Sequence, residues 1–199
     1  MELRTLLFET GGEHNTDATL QIAWERARAL GIRQVVVASS HGETARKAQA
    51  IFGLDGIRVI AVTICHSFEE VGWTMDAQTK AELTKLGVIV QTGIHALGDG
   101  VGSAFSEKRG GRTPEEIVRD TLYCFCQGMK VAVECLLTPA PTGRCGVAAD
   151  AGLLDMTQEV ISIAGTGSGA DTAIVCKPAY PRKFHELEIR EVLAKPRVP

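Results

Sequence analysis

Ser39, Ser40, His41, Gly42, Glu43 and Thr44 place hydroxyls, a glycine and little bulk between an apolar run and a helical pattern. Val35, Val36, Val37 and Ala38 read as a short buried strand, and Ala45, Ala48 and Phe52 fall on one face of the helix that follows. Strand, small polar loop and helix N-terminus together make a place for an anion. Free backbone N–H groups and the positive end of the helix face one point there. Phosphate is the expected anion. Ser40 and Thr44 serve equally well as plain helix caps, so the loop alone leaves both readings open.

Other segments end in the same kind of residue. Thr63 closes an apolar run at 57–62, Thr92 and Gly93 follow another at 88–90, and Thr166, Gly167 and Ser168 follow a third at 160–164. Right-handed crossovers bring the C-terminal ends of parallel strands to one edge of a sheet. That edge is expected to gather the 39–44 loop, Thr63, Thr92, Gly93, His95 and Thr166, Gly167 and Ser168 as a binding crevice for a phosphate-bearing small molecule. Hydroxyls there donate to phosphate or ribityl oxygens. His41 and His95 titrate near neutral pH and are the candidate proton carriers. An enzyme handling phosphate esters, or a module that only assembles subunits around a vestigial site, are the alternatives to a binding protein.

Several motifs fail. The run 165–169 lacks the G-x-G-x-x-G order and is followed by a strand, which removes the dinucleotide fingerprint. Its central residue is Gly167 rather than serine, which removes a nucleophile elbow. None of the six cysteines forms a C-x-x-C pair, so they read as small buried hydrophobes in a reducing compartment rather than zinc ligands.

The elements that must position these residues alternate. A helix capped by Asn15, Thr16 or Asp17 carries Leu20, Ala23, Trp24, Ala27 and Leu30 at amphipathic spacing and stops at Gly31. Leu6, Leu7 and Phe8 form a short strand or an extended arm. Asp76 caps a third helix, over 77–86. The glycine-rich stretch 94–112 reads as a long loop. Thr113, Pro114 and Glu116 open a helix with a capping box, and the apolar pattern runs on to Leu137 with a bend near Gly128. That apolar girth points to burial or a homo-oligomer. Residues 147–154 read as a further helical piece. Seven residues, 165–171, separate the last two strand runs. A parallel crossover needs a dozen or more, so the second run is antiparallel. Residues 184–193 read as a mixed tail.

The result is an α/β fold: a three-layer α/β/α sandwich on a mainly parallel sheet of about five strands, one of them antiparallel, in a single domain over residues 1–199. A formal charge of −3, with no run of like charges, gives no nucleic-acid surface. No apolar stretch reaches the roughly 18 residues of a membrane span, and a cytoplasmic location is expected.

The run 35–48, V-V-V-A-S-S-H-G-E-T-A-R-K-A, resembles the strand–loop–helix of the pyruvate kinase C-terminal domain, where a loop of similar type cradles a sugar phosphate. Ser40, Gly42, Thr44 and Ala45 occupy similar places, with His41 inserted between serine and glycine. The closing E-V-I-S-I-A-G-T-G-S-G-A-D-T-A-I-V-C resembles that domain's last strand, glycine loop and strand. More closely, the chain resembles the free-standing prokaryotic proteins of this type, through Glu13 and Asn15, the I-H-A-L stretch and the A-A-D-A-G-L run at 148–153. The resemblance implies a three-layer fold and FMN as a ligand. It does not imply pyruvate kinase activity, whose chemistry sits on a barrel of about 250 residues that these 199 leave no room for. If FMN is held, a flavin-dependent oxidoreductase joins the alternatives.

Overall fold

The structure is a computed structural model that describes residues 4–137 and 152–198. In chain order its elements are β1 (Leu6–Phe8), α1 (Thr16–Leu30), β2 (Gln34–Ala38), α2 (Glu43–Phe52), β3 (Arg58–Ile64), α3 (Ala77–Lys85), β4 (Ile89–Gly93), α4 (Val101–Arg109), α5 (Pro114–Tyr123), α6 (Gln127–Leu137), β5 (Val160–Ala164), β6 (Thr172–Lys177) and β7 (Glu188–Pro196). Short 3-10 turns occur at Glu13–Asn15 and His66–Val71, among others.

Alternation of side chains builds a sheet buried on both faces. Val35 and Val37 of β2, Val59 and Ala61 of β3, Ile161 and Ile163 of β5 and Ala173 and Val175 of β6 pack beneath α1, α2 and α3. Val36, Ile60, Val62, Val160 and Ile174 pack on the other face against Met129, Val133 and Leu136 of α6, with Val118 and Leu122 of α5 at the margin. The strand order is β1-β7-β6-β5-β2-β3-β4. β6 runs antiparallel to both neighbours, and every other pairing is parallel. The short connection at 165–171 therefore does what its length demands.

Three expectations are corrected. The sheet has seven strands rather than five, because β7 pairs with β6 and gives β1 a partner. The stretch 94–112 is not a bare loop: α4 lies inside it, between Gly100 and Gly110. The helix from 117 to 137 is two helices, broken at residues 124–126, ahead of Gly128. The apolar character of α6 is used inside the chain, where it packs on the sheet. The piece at 147–154 lies outside the described residues except for its last three, which are not helical. Among the described residues, no helix is long and apolar enough to cross a membrane.

Candidate functional site

β2 is a central strand, and its C-terminal end feeds directly into α2. The Ser39 amide still belongs to the sheet and donates to the Val62 carbonyl at 2.9 Å. The buried Ser39 hydroxyl accepts from the Ala45 amide at 3.3 Å, so Ser39, rather than Ser40 or Thr44, supplies the capping bond of α2. This satisfies the third amide of the helix. The two before it, on Glu43 and Thr44, are among those that a helix leaves without an intrahelical acceptor. Thr44 is buried, while His41 and Glu43 are exposed. The Ser40 carbonyl accepts from the buried Thr63 hydroxyl at 3.4 Å, and His41 Nε2 donates to the Gly72 carbonyl at 2.9 Å.

Gly42 is required twice over at the start of α2. Its φ of +92° is a left-handed conformation, and a Cβ there would stand 2.6 Å from Thr79 Cγ2 of α3. The conformation costs a side chain about 1–2 kcal/mol, and the clash adds about 1–3 kcal/mol. Gly42→Val is expected to lower the thermal midpoint by several degrees whether or not a ligand is present. An unchanged melting curve would show that α3 does not pack there.

The hairpin at 165–171 borders the same sheet edge, since β5 pairs with β2 in parallel. Thr166 is half-buried; Gly167 and Ser168 are exposed. The glycines around them are explained by packing. A Cβ on Gly169, at φ +69°, would meet Thr16 Oγ1 at 2.4 Å and Glu13 Cα at 2.5 Å. Ser168 Oγ donates to Glu13 Oε2 at 3.0 Å, and the Ala170 amide donates to Thr16 Oγ1 at 2.9 Å. Behind the hairpin lies Asp171, fully buried. Its Oδ2 accepts from the Gly12 amide at 2.8 Å and the Thr166 amide at 3.0 Å, and its Oδ1 from the Thr172 hydroxyl at 2.8 Å. The sequence reading missed Asp171. The available signal was a lone acid between a glycine run and an apolar strand.

α1 also begins at this edge, and Asp17 in its first turn pairs with Lys47 of α2 at 2.7 Å. Neither Asn15 before α1 nor Gly42 before α2 caps its helix through a side chain of its own. By contrast, Asp76 caps α3, and Thr113 with Glu116 completes the expected capping box of α5.

Thr92 and Gly93 end β4, two strands away from β2. His95 belongs to a different neighbourhood, on the α5 and α6 side of the sheet. Its Nδ1 lies 2.6 Å from Asp99 Oδ2, and its ring is 5.4 Å from that of Phe68, which stacks on Trp73. Burial pushes the Asp99 carboxyl up. The hydrogen bond and charge of His95, with the charges of Lys130 and Arg119, outweigh it and hold the carboxyl below its usual range. The thirteen sequence candidates therefore divide. Those at 39–44 and Thr63 cluster at the end of β2 and β3, the hairpin residues flank them, and His95 stands apart.

Among the described residues, no group of three or more His, Cys, Asp or Glu is placed to hold a metal ion. Cys126, Cys135 and Cys176 are buried as expected, and burial pushes the thiols of Cys135 and Cys176 up. Cys124 is exposed and Cys65 half-buried, which corrects the uniform reading; Cys145 lies outside the described residues.

A mixed sheet with one antiparallel strand and α layers on both faces define a three-layer α/β domain. The family model for the pyruvate kinase alpha/beta domain matches residues 17–176, and the chain belongs to that family.

Proposed function

We propose that this chain is a small-molecule binding or regulatory protein that holds a phosphate-bearing ligand at the C-terminal edge of its sheet. The observation that carries this reading is the start of α2. Its third amide is taken by Ser39, and the Glu43 and Thr44 amides stand at the positive end of the helix, beside the start of α1. Thr44, Thr166 and Ser168 add hydroxyls along the same edge. FMN is one ligand of this class. Its phosphate would take the Glu43 and Thr44 amides and the hydroxyls along this edge. When bound, a flavin would supply redox chemistry; the residues named here would hold its phosphate. A cytoplasmic location belongs to this reading. So does self-association through Val101 and Phe105 of α4 and Ile117 of α5, all exposed apolar side chains.

The test is an absorbance spectrum of the purified protein with mass spectrometry of the acid-released supernatant. An amide-resolved titration with inorganic phosphate accompanies it. Flavin bands and an FMN mass are expected; another released phosphate compound keeps the site and removes the flavin. Glu43→Gln is expected to tighten phosphate binding several-fold, because it removes a like charge from the mouth of the site. An empty supernatant, with the Glu43 and Thr44 amides unmoved by phosphate, would end this reading.

A further inference from the structure

A second cleft lies on the opposite face of the sheet from α2. It encloses about 340 Å³ between the 95–99 loop, α5 and α6, with Trp73 at its mouth. That volume is at the small end of the roughly 300–1,000 Å³ of ligand pockets. Its lining includes His95, Asp99, Arg119, Tyr123 and Lys130.

The charges of this lining are internally balanced. His95 Nδ1 faces Asp99, Arg119 Nε donates to Asp120 Oδ1 at 2.9 Å, and Lys130 pairs with Glu134 behind it. Each cation has a carboxylate against it, so the cleft offers little net field to a phosphate or a polycation. What it does offer is donors and acceptors at close spacing, together with two aromatic side chains. Tyr123 has the Lys130 ammonium 5.9 Å from its ring centroid, and Trp73 is half exposed. The contact with Asp99 makes Nδ1 a hydrogen-bond donor to the carboxylate and leaves Nε2 for a ligand. Phe68 packs against the same imidazole, so the ring is held from two directions.

We infer that this cleft is a second ligand site, separate from the phosphate crevice, and that it takes a small uncharged polyhydroxy or hydroxycarbonyl compound. His95 Nε2 hydrogen-bonds a ligand oxygen, Arg119 donates to a second, and the Trp73 ring covers the carbon skeleton. Asp99 is a positioning residue that fixes the imidazole.

The two tryptophans make the test direct. Trp73 stands at this cleft, whereas Trp24 lies on α1, on the other face, with its indole N–H donating to Asp55 at 2.6 Å. Their indole N–H resonances are followed by NMR while D-ribose, dihydroxyacetone or inorganic phosphate is added. The expected result is a saturable shift of the Trp73 signal with at least one of the two neutral compounds. Trp24 stays still, and phosphate leaves Trp73 in place. His95→Gln is expected to weaken that binding about tenfold, the worth of one hydrogen bond. Asp99→Asn, which keeps the shape, is expected to weaken it as well while Trp24 stays still. A Trp73 signal unmoved by both neutral compounds in large excess overturns the proposal. So does one moved only by phosphate, or binding that survives both substitutions. The phosphate crevice reads out separately at the Glu43 and Thr44 amides, so either site can fail alone.

Discussion

Asp171→Ala is expected to lower the stability of the domain by about 4 kcal/mol, since each buried group left without its partner costs about 1–3 kcal/mol. Three donors lose their acceptor at once: the Gly12 amide, the Thr166 amide and the Thr172 hydroxyl. No water reaches the vacated position easily, because Asp171 is fully buried. Gly128 makes matters tighter. A Cβ on Gly128 would stand 2.1 Å from Thr172 Oγ1 and 2.8 Å from Asp171 Oδ1, so α6 leaves no slack for rearrangement. Urea unfolding should show a clearly earlier midpoint, and hydrogen exchange should show faster exchange at Gly12 and Thr166. Asp171→Asn retains one acceptor oxygen but turns an NH₂ toward a donor, so a smaller loss is expected. An alanine variant with the parent's midpoint would mean that the carboxylate is not the tie between the 9–12 loop and the hairpin.

Lys130→Met is expected to cost about 3–5 kcal/mol, the usual result of breaking a buried ion pair from one side. Lys130 and Glu134 sit one turn apart on α6 and are both buried. Glu134 Oε1 also accepts from the Leu97 amide at 2.9 Å, so the carboxylate holds the 95–99 loop as well as the lysine. Replacing both partners separates the two roles. Lys130→Met with Glu134→Gln keeps an acceptor for Leu97 and removes the carboxylate charge that faced Lys130, and it should recover most of the loss. A double-mutant cycle by chemical denaturation checks this. Equal losses for the single and double variants would show that packing of the lysine stem, not its charge, carries the effect.

The central sheet was legible because its strands obey simple rules. β2, β3 and β5 are apolar runs bounded by turn residues, and the seven-residue gap at 165–171 left only an antiparallel return. Gly31 and the Thr113–Glu116 box marked helix ends by their own chemistry. β7 was hidden because it is only partly buried: Glu188, Arg190, Glu191 and Lys195 interrupt the apolar pattern that marks a core strand. α4 was hidden by its glycines. Gly102 lies within its first turn, where a Cβ would meet Glu115 and Thr113, so the residue reports close packing rather than a loop.

The site was legible in outline. The 39–44 loop is local, and its strand–loop–helix order can be read without knowing its neighbours. Ser39 as the capping residue, and His95 as a member of another cleft, depend on contacts between segments far apart in the chain, such as Leu97 with Glu134. No spacing rule encodes those. Asp171 belongs to the same class, since one of its three donors, the Gly12 amide, comes from a loop 159 residues away in sequence.

The pairing of β1 with β7 has a consequence in time. Leu6 aligns with Ala194, and the Thr5 hydroxyl donates to the Val192 carbonyl across 187 residues of sequence. β2, β3 and β4 close through short local crossovers and can assemble as soon as they leave the ribosome. β1 must wait for nearly the whole chain, and closing so long a loop is repaid only by a three-residue strand. The β1 edge is therefore the last part of the sheet to form during synthesis and the first to open when the folded protein breathes.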